Sequence, residues 1–170
     1  MPTLPALQTA NAAPHEFAIR AASPEDFPAI LQCLRSAYEP YRAQYSSRAY
    51  LDTVMTPDTL IERLRTMTVL VATDTRENVV GTIGGATVSA GEGHLRGMAV
   101  PPKHHGRGNA QLLLESMEKH LWMNGCACIT LDTTEPLQRA MRFYEKNNYR
   151  RTGKITDFFG MPLIEYAKHF

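Results

Sequence analysis

The chain has 170 residues, 44% of them hydrophobic and 21% charged, with a formal net charge of +1. These are the proportions of an ordinary globular protein with one sizeable core. The near-neutral balance provides no general field for nucleic acid or an anionic membrane, so any anion site must be local. No stretch of eighteen apolar residues occurs, which excludes a membrane-spanning helix.

The opening MPTLPALQTANAAPHE has no basic n-region and no continuous apolar core, so it does not read as a signal peptide. Residues 1–14, rich in Ala, Pro and Thr, read as a flexible tail, and 15–170 as a single domain. EFAIRAA (16–22) is a predicted strand. Ser23 as N-cap, Pro24 at the first helical position and Asp26 in a capping-box arrangement start a helix. Phe27, Ile30, Leu31, Leu34 and Tyr38 then mark one helix face. TPDTLIERLRTM (56–67) repeats the same start with Thr56, Pro57 and Asp58. Between them, residues 39–55 read as a partly ordered connection that presents Tyr41, Tyr45 and Tyr50 with Arg42 and Arg48; packing under the loop is the alternative.

Strands follow at 68–74, 79–90 and 94–100, joined by the short turns TREN and GEG, which makes an antiparallel meander. Residues 109–125 are a predicted helix with Ala110, Leu113, Leu114, Met117 and Leu121 on one face and Gly125 as its C-cap glycine. ACITLDT (127–133) is the next strand. A strand, a helix and a strand in this order form a crossover, so the two strands should be parallel. A helix over 136–148 and strands over 149–155 and 162–170 complete the chain. The order implies an α/β (α+β) fold: a mixed, mostly antiparallel sheet with helices on both faces and one central parallel pair. Cys33, Cys126 and Cys128 are too few and too irregularly spaced for a disulfide framework or a C-x-x-C site. They read as reduced, buried thiols in a reducing, cytoplasmic setting.

The stretch AVPPKHHGRGNAQ (99–111) carries the chemistry. His104 and His105 are adjacent and no H-x-x-x-H or carboxylate pair completes a metal site, so no metal is expected. Gly106 and Gly108 instead remove side chains where a helix starts. That exposes N–H groups of Gly106 through Ala110 at the positive end of a helix dipole, a setting for phosphate. Each such bond to a charged oxygen is worth about 1.5–3 kcal/mol. Arg107, and His105 when protonated, add positive charge. Neither a Walker loop nor a G-x-G-x-x-G pattern is present, and a tight turn without a ligand stays open on these residues alone.

Strand, then VPPKHHGRGNA, then helix resembles the acetyl-CoA loop of the GNAT N-acetyltransferase superfamily. His105-Gly106-Arg107-Gly108-Asn109-Ala110 stands against the family's R/Q-x-x-G-x-G/A, with His in place of the first Arg or Gln. AMRFYEKNNY (140–149) resembles the second landmark, A-x-x-F-Y-E-K-x-G-F, with Asn148 and Tyr149 as departures. The resemblance covers residues 16–170 and implies a six- to seven-stranded sheet whose central parallel strands splay. It implies acetyl transfer from acetyl-CoA to a primary amine of a small molecule or an exposed peptide. The pantetheine arm would lie along Met98, Ala99 and Val100, and residues 105–110 would hold the pyrophosphate. Such proteins are commonly homodimers.

A lysine-like amine is neutral in only about one molecule in a thousand at pH 7.4, a deficit of roughly 4 kcal/mol. The resemblance places His94, at the start of the third strand, where a base takes the amine proton; a strand-end histidine without chemistry is the alternative. Glu92 is a weaker candidate. Tyr144 matches the tyrosine that serves the leaving thiolate, although it also lies on an apolar helix face. Leu137 stands where many members have an Asn that contacts the CoA arm. The acceptor pocket would come from residues 38–55 and the hairpins at 91–93 and 156–162. Its few acidic residues do not favour a polycation. Two other readings stay open: a catalytically silent acyl-CoA-binding module, and a binder of nucleotide phosphates.

Overall fold

The computed structural model describes residues 16–170; the tail expected over 1–14 lies outside the described residues. Seven strands form one sheet in the order β1-β2-β3-β4-β5-β7-β6. They are β1 (Ala18–Ala21), β2 (Thr68–Thr73), β3 (Val79–Ser89), β4 (Glu92–Ala99), β5 (Cys128–Thr134), β6 (Arg150–Phe158) and β7 (Met161–His169). All neighbours are antiparallel except β4 and β5, as the crossover logic requires. Among the described residues no helix is long and apolar enough to cross a membrane.

Among the described residues five α-helices cover the sheet: α1 (Phe27–Tyr38), α2 (Ser47–Val54), α3 (Pro57–Thr66), α4 (Asn109–Met123) and α5 (Gln138–Lys146). Each start has a local cause. A short 3-10 turn, Pro24–Asp26, leads into α1, and the Asp26 carboxylate accepts the Ser23 N–H at 2.8 Å. Thr56 caps α3 by accepting from Thr59 N, with Pro57 in the first turn. Gly125, at φ +87°, turns the chain out of α4.

The connection over 39–55 is the main departure from the sequence reading. It is helical almost throughout: a 3-10 stretch, Glu39–Gln44, and then α2. Ser46 accepts from Ala49 N as N-cap, and Ala49, Tyr50 and Val54 are buried. Eight residues with three inward side chains are too short to print a clear 3.6-residue period. The second departure is that β4 starts at Glu92 rather than His94, which puts His94 inside the strand.

Two cores flank the sheet. On one side Leu113, Leu114, Met117 and Leu121 of α4 pack on Ile83, Leu95, Ile129 and Leu131. On the other, Ile30, Leu31 and Leu34 of α1 and Leu60 of α3 pack on Val69, Val71 and Ala99. Close packing of α4 on β3 depends on small residues: a Cβ at Gly81 would lie 2.8 Å from Leu113 Cδ1. Cys33 and Cys126 are buried and Cys128 is half-buried, all as free thiols. Burial pushes the Cys33 thiol up to about 12, which makes it unreactive.

Candidate active site

The parallel ladder between β4 and β5 is short. It pairs Glu92 with Cys128 through Leu95 with Leu131 and then stops. Beyond that point Asp132, Thr133 and Thr134 pair only with β7. On the other side of the gap β4 stays on β3, but with a bulge: Arg96 and Ala99 face Gly84 and Thr82, so β4 carries one extra residue there. Gly97 supplies the positive φ, +64°, that this bulge uses. The result is a wedge in the sheet centre, walled by strand edges whose backbone groups lack a partner strand.

Two tyrosines close on the wedge at Met98. Tyr38, the last residue of α1, donates its O–H to the Met98 carbonyl at 3.1 Å. Tyr144 of α5 directs its O–H at Met98 Sδ, 3.4 Å away. A thioether is a weak acceptor, so the Tyr144 proton remains available to a better one. Burial pushes both phenols up from their ordinary value, which keeps them protonated.

A cavity of about 280 Å³ opens under the N-terminus of α4, lined by Met98, Ala99, Val100, Gly106, Gly108, Ala140 and Tyr144 among others. Gly106 and Gly108 adopt φ +74° and +89°. Gly108 is the N-cap of α4 and provides no side-chain acceptor. Among the described residues, the N–H groups of Gly106, Arg107, Gly108 and Gln111 find no backbone acceptor. They remain available to a ligand's anion. His105 lines the cavity and ties the loop to the strand end, with Nε2 2.8 Å from the Val100 carbonyl. An imidazole that bonds the strand end fixes the loop, so this departure from Arg or Gln has a positional reason.

Two of the residues expected at the loop turn elsewhere. The Arg107 guanidinium pairs with Glu16 and lies over the Phe17 ring, and it does not line the cavity. The Asn109 side chain is buried and donates to the Val80 carbonyl at 3.1 Å, tying α4 to β3. Backbone, not side-chain charge, is therefore what the loop presents. Gly108→Ala meets no steric neighbour, so its effect is the strain of a positive φ, about 1–2 kcal/mol. We expect a melting temperature lower by roughly 2–8 °C, together with less stabilisation on adding coenzyme A.

His94 lies in a second cavity, also of about 280 Å³, on the other side of the wedge. The two cavities share Tyr38 and Leu137. His94 Nδ1 sits 2.8 Å from Thr130 Oγ1, and Nε2 is 3.5 Å from Asp132 Oδ2. Burial lowers the imidazole below its ordinary value, opposed by the Asp132 charge; burial raises Asp132. Glu92 stands behind, 3.4 Å from the Thr130 hydroxyl. Asp132 lines this cavity beside His94, and the sequence reading did not single it out. The parallel register that opposes His94 to Thr130 sets Asp132 on the same sheet face, two residues on. Arg63 of α3 also lines this cavity and was equally unforeseen, whereas Asp52 of α2, which lines it too, lies in the segment 38–55 expected to build the acceptor pocket. Among the described residues no group of three or more His, Cys, Asp or Glu could hold a metal ion.

The acetyltransferase (GNAT) family model matches residues 27–149. No curated protein sequence gives a significant match. Solved structures share the fold. An N-acetyltransferase, PaiA, from Thermoplasma acidophilum, crystallised with coenzyme A, aligns over 91% of this chain and 99% of its own at 18% identity, TM-score 0.75. A GNAT-family acetyltransferase from Staphylococcus aureus aligns over 90% and 98% at 17% identity, TM-score 0.74. A ribosomal-protein-alanine N-acetyltransferase from Brucella melitensis aligns over 90% and 99% at 18% identity, TM-score 0.69.

Proposed function

Because this chain belongs to the GNAT family of acetyltransferases, we propose that its two cavities divide one reaction, acetyl-CoA entering under α4 and an amine entering beside His94. The protein is an acetyl-CoA-dependent N-acetyltransferase. The observation that carries the division of labour is the wedge between β4 and β5, which joins the two cavities at Tyr38 and Leu137.

The residues fit the donor. The free N–H groups of the 105–110 loop suit a pyrophosphate, the edges of Met98, Ala99 and Val100 suit amides of a pantetheine arm, and Ala140 and Leu137 leave an apolar wall. Leu137 offers no hydrogen bond, so the arm relies on the strand edge. On the acceptor side, Thr130 bonds onward to the Gly93 carbonyl, so it accepts from His94 Nδ1–H and leaves Nε2 as the proton acceptor. Nε2 takes a proton from the amine, and the imidazolium that forms faces the Asp132 carboxylate. The amine nitrogen bonds to the acetyl carbonyl carbon, the carbon–sulfur bond breaks, and Tyr144 donates a hydrogen bond to the departing thiolate. A small acceptor matches the volume of the second cavity. The three unpaired cysteines support a reducing, cytoplasmic setting.

The test is release of free thiol when the protein is mixed with acetyl-CoA and a panel of amines. Turnover on at least one amine is the expected result. Coenzyme A binding without turnover on any amine would instead assign the chain to silent acyl-CoA-binding modules.

A further inference from the structure

One cation of the acceptor cavity has no ion pair. Arg96 bonds Asp52 at 3.2 Å, and the Asp132 carboxylate faces the His94 imidazole at 3.5 Å. Arg63 has no such partner. Among the described residues no carboxylate lies within 4.0 Å of its guanidinium and no side chain accepts its hydrogen bonds, although the Asp52 charge is felt at longer range. Burial, helped by the Arg96 charge, lowers Arg63 to about 10, so it stays cationic at neutral pH. A partly desolvated cation without a counter-ion is costly.

The fold nevertheless makes room for it. A Cβ at Gly97 would overlap Arg63 Nη1, so the glycine of the β4 bulge serves as the seat for this guanidinium. A second group in the same cavity also lacks a partner: the Thr133 hydroxyl is buried and unbonded. A cation and a hydroxyl without partners, lining the same cavity as a base, describe the complement of an anion.

We propose that the acceptor is a small amine that also carries an anionic group, a carboxylate or a phosphonate, which the Arg63 guanidinium binds while the amine faces His94. The proposal rests on the acetyl-transfer reading given above. Gly97 and His94 stand three residues apart on β4, about 10 Å along the strand, so a short carbon skeleton joins the two groups. A guanidinium fork matches either oxyanion in two-point contact. A polyamine or lysine-rich peptide would bring like charge against Arg63, in line with the scarcity of acidic residues in the segments that build this pocket.

The experiment compares matched acceptors with the full-length protein in the thiol-release assay. The probes are α- and ω-amino acids of increasing length, their carboxamides, and the corresponding aminoalkylphosphonates. The expected result is a kcat/KM for the best acid or phosphonate roughly 10- to 100-fold above that of its amide. Which of the two anions leads identifies the group bound. Arg63→Gln should erase that preference, mainly through KM, with the acetyl-CoA Kd from calorimetry unchanged. Arg63→Lys, which keeps the stem and the charge, should restore part of it and carries the test where the Gln variant does not fold. Equal use of acids and amides, or a preference that survives in a folded Arg63→Gln, overturns the proposal alone. No turnover with any series, while coenzyme A still binds, overturns the acetyl-transfer reading and this proposal with it.

Discussion

Replacing Tyr144 with Phe should lower kcat by roughly 10²- to 10⁴-fold and leave the acetyl-CoA Kd near its original value. The substitution removes one oxygen. The ring stays packed against Tyr149, 5.8 Å between centroids, and Phe143, so folding is preserved. What is lost is the donor that the proposed mechanism sets beside the breaking thioester. An alkanethiol ionises near 8.5, below the buried phenol, so Tyr144 gives a hydrogen bond to developing negative charge without first ionising. Tyr38 is the internal control. It reaches the same Met98, but its proton is committed to a backbone carbonyl. Tyr38→Phe should therefore act on stability and on KM more than on kcat. Stopped-flow or steady-state thiol release for both variants, with calorimetric Kd values, checks the contrast. A Tyr144→Phe enzyme with unchanged kcat removes this residue from the chemistry.

His94→Ala should abolish the acid limb of the rate profile. Burial holds the imidazole below its ordinary 6.5, so in the original protein it is neutral, and able to accept a proton, throughout the neutral range. The rate should then fall only as the pH drops through that lowered value. Without the imidazole, the reaction depends on the fraction of amine already neutral, and the profile climbs toward the amine's own pKa, near 10.4 for a lysine-like group. At pH 7 the loss should be about 10²- to 10⁴-fold, shrinking as pH rises. Asp132→Asn keeps the shape but removes the charge that opposes the burial effect, so it should move the acid limb further down. A pH series of kcat/KM for the three proteins reads both effects.

Local chemistry was legible in the sequence, and distant register was not. The turn at Gly106 and Gly108, the N-cap at Thr56 and the apolar face of α4 are each decided within a few residues and occur in the fold, although the Ala110 N–H, expected free, bonds the Asn109 side chain. So does the parallel crossover, which follows from a strand-helix-strand order. Asp132 could not be chosen from the string, since it becomes a partner of His94 only through the pairing of β4 with β5. Arg63 is further removed: it meets Gly97 because α3 packs over β2 and β3, a relation between segments more than thirty residues apart. Arg107 shows the converse. Its position in a phosphate-like loop invited a ligand role, yet Glu16, just outside β1, holds it. The α2 helix escaped notice because its periodicity is short and its one tyrosine, Tyr50, looks the same in the sequence whether buried or displayed.

The two cavities share only Tyr38 and Leu137, and the rest of their walls come from different parts of the chain. On the proposed division, the donor side uses the end of α1, the end of β4, the loop into α4 and the face of α5. The acceptor side uses α2, α3, the middle of β4, the end of β5 and the β6–β7 hairpin. Heritable change can therefore act on the two halves almost separately. Substitutions in α2, α3 or the hairpin can retune what is acetylated while the machinery that delivers the acetyl group is inherited intact. For an engineer, the same separation marks positions 52, 53 and 63 as the ones to randomise first, with the loop at 105–110 left alone.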